Sequence, residues 1–189
     1  MTVPGQKIDA RMVRTQQALR AAFLTAIETK SLEEVSIRDI VAAAGIGYAT
    51  YFRHYSSKAD LLQAVIADEI RELVNLTLPP IDQRDTLASS LAMFRYVEEH
   101  RALWSALLTG GAAGTIREEL AKEARRRVPA NIPADVSLPT ELGVVVGVAG
   151  TIETIAWWLR QDPPVSIERV AELHDRLILR PAMVGGERV

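Results

Sequence analysis

The chain of 189 residues contains no cysteine, and aromatic residues make up only 5% of it. Without cysteine it has neither a disulfide framework nor thiolate chemistry, as is common in a reducing compartment. The first residues, MTVPGQKIDAR, also lack the apolar segment of a secretory signal. We therefore expect a cytoplasmic protein.

Long apolar runs are scarce as well. The longest, Leu142 to Leu159, is interrupted by Glu153, two threonines and several glycine or alanine residues. We therefore expect a buried helix rather than a membrane span. Since 48% of the residues are hydrophobic and the net charge is only −2, the composition predicts a folded globular protein.

Strand-type alternation and Asn-Gly hairpin turns are absent from the sequence, whereas helical periodicity recurs between glycine and proline residues. The pattern predicts an all-α protein in which Pro79-Pro80 ends the fourth helix and Pro129, Pro133 and Pro139 mark a long loop. The predicted helices are 12–29, 37–44, 48–54, 58–77, 84–99, 101–109, 115–127, 138–161 and 166–179.

The most informative stretch runs from Ser36 to Lys58, SIRDIVAAAGIGYATYFRHYSSK. Its first half has one apolar helical face, with Ser36 as the predicted N-cap and Gly45 placed to end the helix. A second short helix begins near Gly47, after a turn of only about three or four residues. Two short helices joined by such a turn indicate a helix-turn-helix, a DNA-binding motif.

The segment AAGIGYATYFRHYSSK resembles the recognition segment of the TetR/AcrR family of transcriptional regulators, and the resemblance extends over roughly residues 10 to 65. Two positions depart from the family pattern. Tyr51-Phe52 stands where a small apolar residue and then tyrosine are usual, and Gly47 stands where serine or threonine usually follows the turn. The second departure leaves the recognition helix without a side-chain cap.

The resemblance implies a domain organisation and a set of DNA contacts. We expect a three-helix DNA-binding domain at 1–57 and an effector-binding and dimerisation domain at 58–189. Tyr48 is the expected base-reading residue, beside Gly47 and Ala49 at the start of the recognition helix. Expected phosphate or backbone contacts come from Arg14, Thr15, Ser36, Thr50, Tyr51, His54 and Lys58. Either the Tyr51 hydroxyl replaces the one absent at Phe52, or that contact is lost.

The charge distribution agrees with a DNA-binding module at the N-terminus. Residues 1–60 hold eight basic and six acidic residues, which leaves fourteen basic and eighteen acidic residues in the remaining chain. A modestly basic module on an acidic body suits a short DNA site, although a difference of this size also arises by chance.

The resemblance also implies a homodimer formed through the last two helices, 138–161 and 166–179, and a two-fold DNA operator. The first of these helices carries Gly143, Gly147 and Gly150. Because each glycine costs a helix about 1 kcal/mol relative to alanine, the repetition predicts close approach by another helix or a ligand. An apolar small-molecule effector is expected between the middle helices, where Phe94, Tyr96, Trp104 and Trp157 are the candidate pocket residues or else plain core.

The resemblance implies a repressor that is released from DNA by its ligand. Two other classes of protein are alternatives to it. An enzyme is disfavoured because His54, His100 and His174 are isolated in sequence, and because the glycines at 110–114 lack the Lys-Ser/Thr of a nucleotide loop. We expect no metal and no cofactor. The remaining alternative is a helical ligand-binding or protein-interaction module in which the helix-turn-helix is incidental.

Overall fold

The protein is described by a computed structural model that covers residues 4–82, 84–127 and 139–183. The described residues form helices and no strand, so the predicted all-α fold is confirmed. The helices are α1 (Pro4–Thr29), α2 (Ile37–Ala44), α3 (Tyr48–His54), α4 (Lys58–Asp82), α5 (Thr86–Glu99), α6 (Arg101–Thr109), α7 (Ala113–Arg127), α8 (Thr140–Leu159), α9 (Ile167–His174) and α10 (Arg180–Met183), with a π-helical turn at Asp175–Leu179 between the last two. The loop predicted around Pro129 and Pro133 lies outside the described residues.

The chain divides into two compact units, Met1–Val65 and Ile66–Val189. This division falls inside α4, two turns after the domain boundary predicted at residue 57. In the first unit, α1 packs on α2. Its core includes one face of α1, Leu19, Ala22, Phe23 and Ile27, together with Ile40, Tyr51 and Leu61.

In the second unit, α5 packs on α9, and α8 packs on α6, α7 and α9. The buried Phe94 ring lies edge-on to Trp158 at 5.3 Å and to the His174 imidazole at 5.6 Å. His174 bridges two helices, because its Nδ1 is 2.9 Å from Ser90 Oγ and its Nε2 is 3.0 Å from Thr151 Oγ1. Burial lowers the pKa of His174 to about 4. This imidazole is therefore neutral in the folded protein near pH 7.

The predicted end of α4 is wrong, since the helix continues through Pro79 and Pro80 to Asp82. Proline has a helical φ of about −65°, so a double proline removes two hydrogen bonds without forbidding another turn. The helical conformation does not extend to Arg84, whose φ of 60° is left-handed. Its N–H donates to Ile81 O and the N–H of Asp85 donates to Pro80 O, the pair of bonds that closes a Schellman motif.

The expectation of a buried α8 is also wrong in part. The segment Glu141–Leu159 is long and apolar enough to cross a membrane, with a mean hydropathy of 1.6, and only 22% of it is buried. One side packs inward through Val148, Ile152 and Ile155. The exposed residues of α8 include the apolar Leu142, Val145, Val146 and Trp157 and also Glu153, which pairs with Arg117.

The glycine prediction for α8 is confirmed at Gly150. A Cβ placed on this residue would lie 2.5 Å from Ile178 Cδ1, so the π-helical turn approaches α8 too closely for a side chain. At Gly147 the nearest atom is Ala182 Cβ at 3.9 Å, an ordinary contact distance. Of these two glycines, only Gly150 lies where an added Cβ would force a neighbouring side chain to shift.

Candidate DNA-binding site

The turn between α2 and α3 has the predicted geometry. Gly45 follows α2 with a φ of 65°, and its N–H donates to Ala42 O while the N–H of Ile46 donates to Val41 O. A residue with a Cβ would be strained in this left-handed conformation. Gly47 then precedes α3 and supplies no side-chain cap, as expected.

Ser36 and Asp39 form a reciprocal cap at the start of α2. The N–H of Asp39 donates to Ser36 Oγ at 3.2 Å, while the N–H and hydroxyl of Ser36 donate to Asp39 Oδ2 at 3.1 and 2.8 Å. These hydrogen bonds lower the pKa of Asp39 to about 2, with the Ser36 hydroxyl as the largest cause. Both donors of Ser36 are thus used within the cap, and its predicted DNA contact stays a prediction.

The recognition helix α3 presents a clear outer face. Tyr48, Ala49, Phe52 and Arg53 are exposed, with Tyr48 and Phe52 at 48% and 52%. Tyr51 is fully buried on the opposite side of the helix. The predicted base-reading residues Tyr48 and Ala49 therefore lie on the accessible face.

The burial of Tyr51 disfavours the phosphate contact predicted for its hydroxyl, which stays a prediction. Its hydroxyl donates to Ser57 O at 3.0 Å, and burial raises the pKa of this phenol. Its ring also meets Phe52 edge-on at 5.3 Å between centroids. The buried position accepts tyrosine because the polar end of the side chain reaches a carbonyl just before α4.

Lys58 is likewise an internal brace. Its Nζ donates to Leu32 O and Val35 O, both at 2.8 Å, and to Glu33 O at 3.3 Å. An ammonium group has three hydrogens, and all three are directed at the loop that leads into α2. The donors of Lys58 are thus engaged within the protein, which disfavours a phosphate contact; the contact itself stays a prediction.

The remaining predicted residues meet at one concave surface. A depression of about 1330 Å³ is lined by Arg14, Thr15, Gly47, Thr50 and His54, and also by Arg11, Met12, Ala18, Gly45, Ile46 and Arg53. Three guanidinium groups and an imidazole thus share a surface whose other members are small or apolar. We call this depression the basic groove.

Sequence reasoning missed Arg11 and Arg53 as members of the basic groove. The Arg11-Arg14 spacing, i and i+3, was the available signal, since such residues share a face once the helix extends far enough. The predicted helix began at residue 12, whereas α1 begins at Pro4. Arg14 and Thr15 consequently lie well inside α1, and the expectation that they stand at its start is wrong.

Two threonines in the basic groove differ in their free hydrogen-bonding capacity. Thr15 Oγ1 donates to Arg11 O at 2.9 Å, so its proton is used within α1. Thr50 Oγ1 accepts from Arg53 Nη2 at 3.2 Å and keeps its own proton. Of the two, Thr50 is better placed to donate to a phosphate.

The four aromatic residues predicted for an effector pocket or the core differ in burial. Phe94, Tyr96 and Trp104 are buried in the core, and Trp157 is 39% exposed. The Tyr96 hydroxyl donates to Glu69 Oε2 at 2.7 Å. A depression in the second unit, about 210 Å³, is lined by Leu87, Leu173 and charged residues of α9, the π-helical turn and α10, and by none of these aromatic residues. Their role as pocket residues stays a prediction.

The architecture and the groove define a helix-turn-helix protein. The family model described as "Bacterial regulatory proteins, tetR family" matches residues 19–65, which span the second half of α1, α2, α3 and the start of α4. This part of the chain is therefore similar to TetR-family regulators, in agreement with the resemblance that the sequence motif predicted.

Comparisons with known relatives and solved structures agree with this similarity. An HTH-type transcriptional regulator of Bacillus subtilis, YxbF, is 35% identical over 107 residues, which cover 53% of this chain and 26% of YxbF. An HTH-type transcriptional regulator of Mycobacterium tuberculosis is 28% identical over 69% of this chain and 67% of its own length. A TetR transcriptional regulator from Streptococcus agalactiae shares the fold with a TM-score of 0.67, at 19% identity, over 92% of this chain and 98% of that one. This chain therefore spans about a quarter of YxbF. The matched proteins are named as regulators, in agreement with the prediction that the chain is not an enzyme.

Proposed function

We propose that the protein is a DNA-binding transcriptional repressor that binds a two-fold operator as a homodimer and is released by a small-molecule effector. The observation that carries the proposal is the accessible outer face of α3 beside the basic groove. Arg11, Arg14 and His54 offer donors to phosphates, while Tyr48, Ala49 and Arg53 are accessible to base edges.

Support for a homodimer comes from α8. Leu142, Val145, Val146 and Trp157 recur at helical spacing along one stripe of the helix, and each is at least 39% exposed. Leu177, in the π-helical turn that follows α9, is 62% exposed. A second copy of the same helices would cover these apolar side chains by an isologous interface, the usual arrangement of a two-fold dimer.

Support for an effector site is a buried donor in the second unit. Trp104 is 1% exposed, and its Nε1 has no hydrogen-bond acceptor among the described residues. A buried N–H without a partner costs free energy that an acceptor would restore. We therefore expect an apolar effector that carries an acceptor oxygen, and we expect it to bind close to Trp104.

Selection of bound sequences from a random pool of duplex DNA tests the proposal. The expected product is a pseudo-palindrome whose half-site centres lie about 34–36 Å apart, or a multiple of that distance. Its affinity should fall steeply with salt, because phosphate contacts release counterions. Recovery of no sequence motif, or of a motif without two-fold symmetry, would contradict the proposal. Repeating the selection with apolar candidate ligands then tests release.

A charge placed in the α8 stripe separates dimerisation from DNA recognition. Val146→Glu should give a monomer by analytical ultracentrifugation and weaken operator binding, since each half-site would then be bound independently. Leu76→Glu is the matched control, because Leu76 is also an exposed apolar residue, 42% exposed, but lies on α4. If Val146→Glu stays dimeric, the interface lies elsewhere.

A further inference from the structure

The outer face of α3 has a definite centre. Successive residues of an α-helix are rotated by about 100°, so positions two before and two after a buried residue lie near its opposite side. Around the buried Tyr51 these positions are Ala49 and Arg53. Both are exposed, and the exposed Tyr48 and Phe52 lie next to Ala49 on this face.

The hydrogen-bonding capacity of this face is concentrated in one side chain. Ala49 and Phe52 have no polar side-chain atom, and Tyr48 has a single hydroxyl. Arg53 has five N–H groups in a planar fork. One of them is used in the 3.2 Å bond from Nη2 to Thr50 Oγ1, which leaves four for a ligand.

The bond to Thr50 also fixes where the guanidinium lies. Thr50 precedes Arg53 by three residues, so the bond holds the guanidinium back along the helix toward the N-terminal turn of α3. In helix-turn-helix proteins it is the N-terminal part of the recognition helix that meets base edges. Thr50 accepts this bond and keeps its own proton for a DNA phosphate. It can therefore contact the DNA backbone while it holds the Arg53 guanidinium near a base.

We propose that Arg53 recognises a guanine in each operator half-site and that Thr50 positions its guanidinium. The inference rests on the proposed function, because it requires the outer face of α3 to enter the major groove. Guanine is the base whose O6 and N7 accept a bidentate bond from arginine. Ala49, one turn earlier on the same face, and Phe52 beside it offer apolar contacts to thymine methyl groups. We therefore expect each half-site to contain a guanine next to base pairs that contain thymine.

The test compares base preferences of the wild type and of Arg53→Ala on the selected operator and on its single-base variants. Replacing the guanine should weaken wild-type binding about ten- to hundredfold, and Arg53→Ala should lose most of that discrimination. Substituting 7-deazaguanine, which lacks the N7 acceptor, should weaken the wild type and leave Arg53→Ala unaffected. Thr50→Val, which keeps the side-chain shape, should reduce discrimination at the same base pair.

A charge-matched control is Arg38→Ala, because Arg38 is exposed on α2 and lies outside the groove lining. Its base preferences should equal those of the wild type. If Arg53→Ala weakens every DNA sequence equally and makes the salt dependence shallower, Arg53 contacts phosphate and the inference is wrong. If the wild type selects no DNA sequence at all, it is the proposed function that fails. Circular dichroism confirms that each variant is folded.

Discussion

Removing the Lys58 ammonium should destabilise the N-terminal unit without removing a phosphate contact. The change is Lys58→Met, which keeps the length of the side chain but has no donor. Two of the three hydrogen bonds are 2.8 Å long and partly buried, and the third, to Glu33 O, is 3.3 Å long and exposed. At roughly 0.5–1.5 kcal/mol for each of the two short bonds, we expect the free energy of unfolding to fall by about 1–3 kcal/mol.

Two measurements separate this brace from a phosphate contact. Urea unfolding followed by circular dichroism gives the loss of stability. The slope of log binding constant against log salt concentration counts phosphate contacts, at about 0.9 per contact on duplex DNA. For Lys58→Met we expect reduced stability and an unchanged slope at temperatures where the variant is folded.

Lys30→Met is the matched control for this prediction. The Lys30→Met variant loses an exposed ion pair with Asp39, 3.2 Å long, so the free energy of unfolding should fall by at most about 1 kcal/mol. The interpretation of Lys58 as a brace would be refuted by wild-type stability combined with a slope that is shallower by about 0.9 for each subunit. That outcome would restore Lys58 to the DNA-contacting set.

Three further predictions follow from local geometry. Gly150→Ala should destabilise the protein in thermal unfolding, because its Cβ would lie 2.5 Å from Ile178 Cδ1, whereas Gly147→Ala should be neutral or stabilising by up to about 1 kcal/mol. Arg84→Gly should raise the free energy of unfolding by about 1 kcal/mol in urea titrations, since the φ of 60° favours glycine; a loss of stability would contradict the Schellman assignment. His174 has a pKa of about 4, below its unfolded value of about 6.5, so the unfolded state binds more protons between these values. Stability should therefore fall by up to about 3 kcal/mol as pH drops from 6.5 to 4, and His174→Gln should abolish this part of the pH dependence.

Sequence reasoning located α2 and α3 to the residue because local chemistry marks their ends. Ser36 caps α2, Gly45 closes it, and Tyr48 begins α3 directly after Gly47. Where such chemistry was absent or misleading, the boundaries were wrong. The end of α4 is set by the left-handed conformation of Arg84, and arginine gives no sequence signal for that conformation.

The candidate site was harder to predict because spacing does not show which partner a polar atom finds. The sequence predicted that Tyr51 lies in the recognition helix, but not that the Ser57 carbonyl accepts its hydroxyl proton. It placed Lys58 at the start of α4, but not the three carbonyls of the preceding loop. These contacts join segments 6 to 26 residues apart. They depend on the folded arrangement of the whole module.

Internal hydrogen bonds engage several polar side chains within residues 51–58. Tyr51 ties α3 to the residue before α4, Ser56 bonds to Asp60 in α4, and Lys58 ties the start of α4 to the loop before α2. We expect side chains engaged in this way to stabilise the unit rather than to bind DNA. The donors for DNA must then come from the basic groove and the outer face of α3. Because Phe52 has no hydroxyl, the polar contacts of that outer face fall to Tyr48 and Arg53, so a change at Arg53 should alter sequence preference while a change at Lys58 should alter stability.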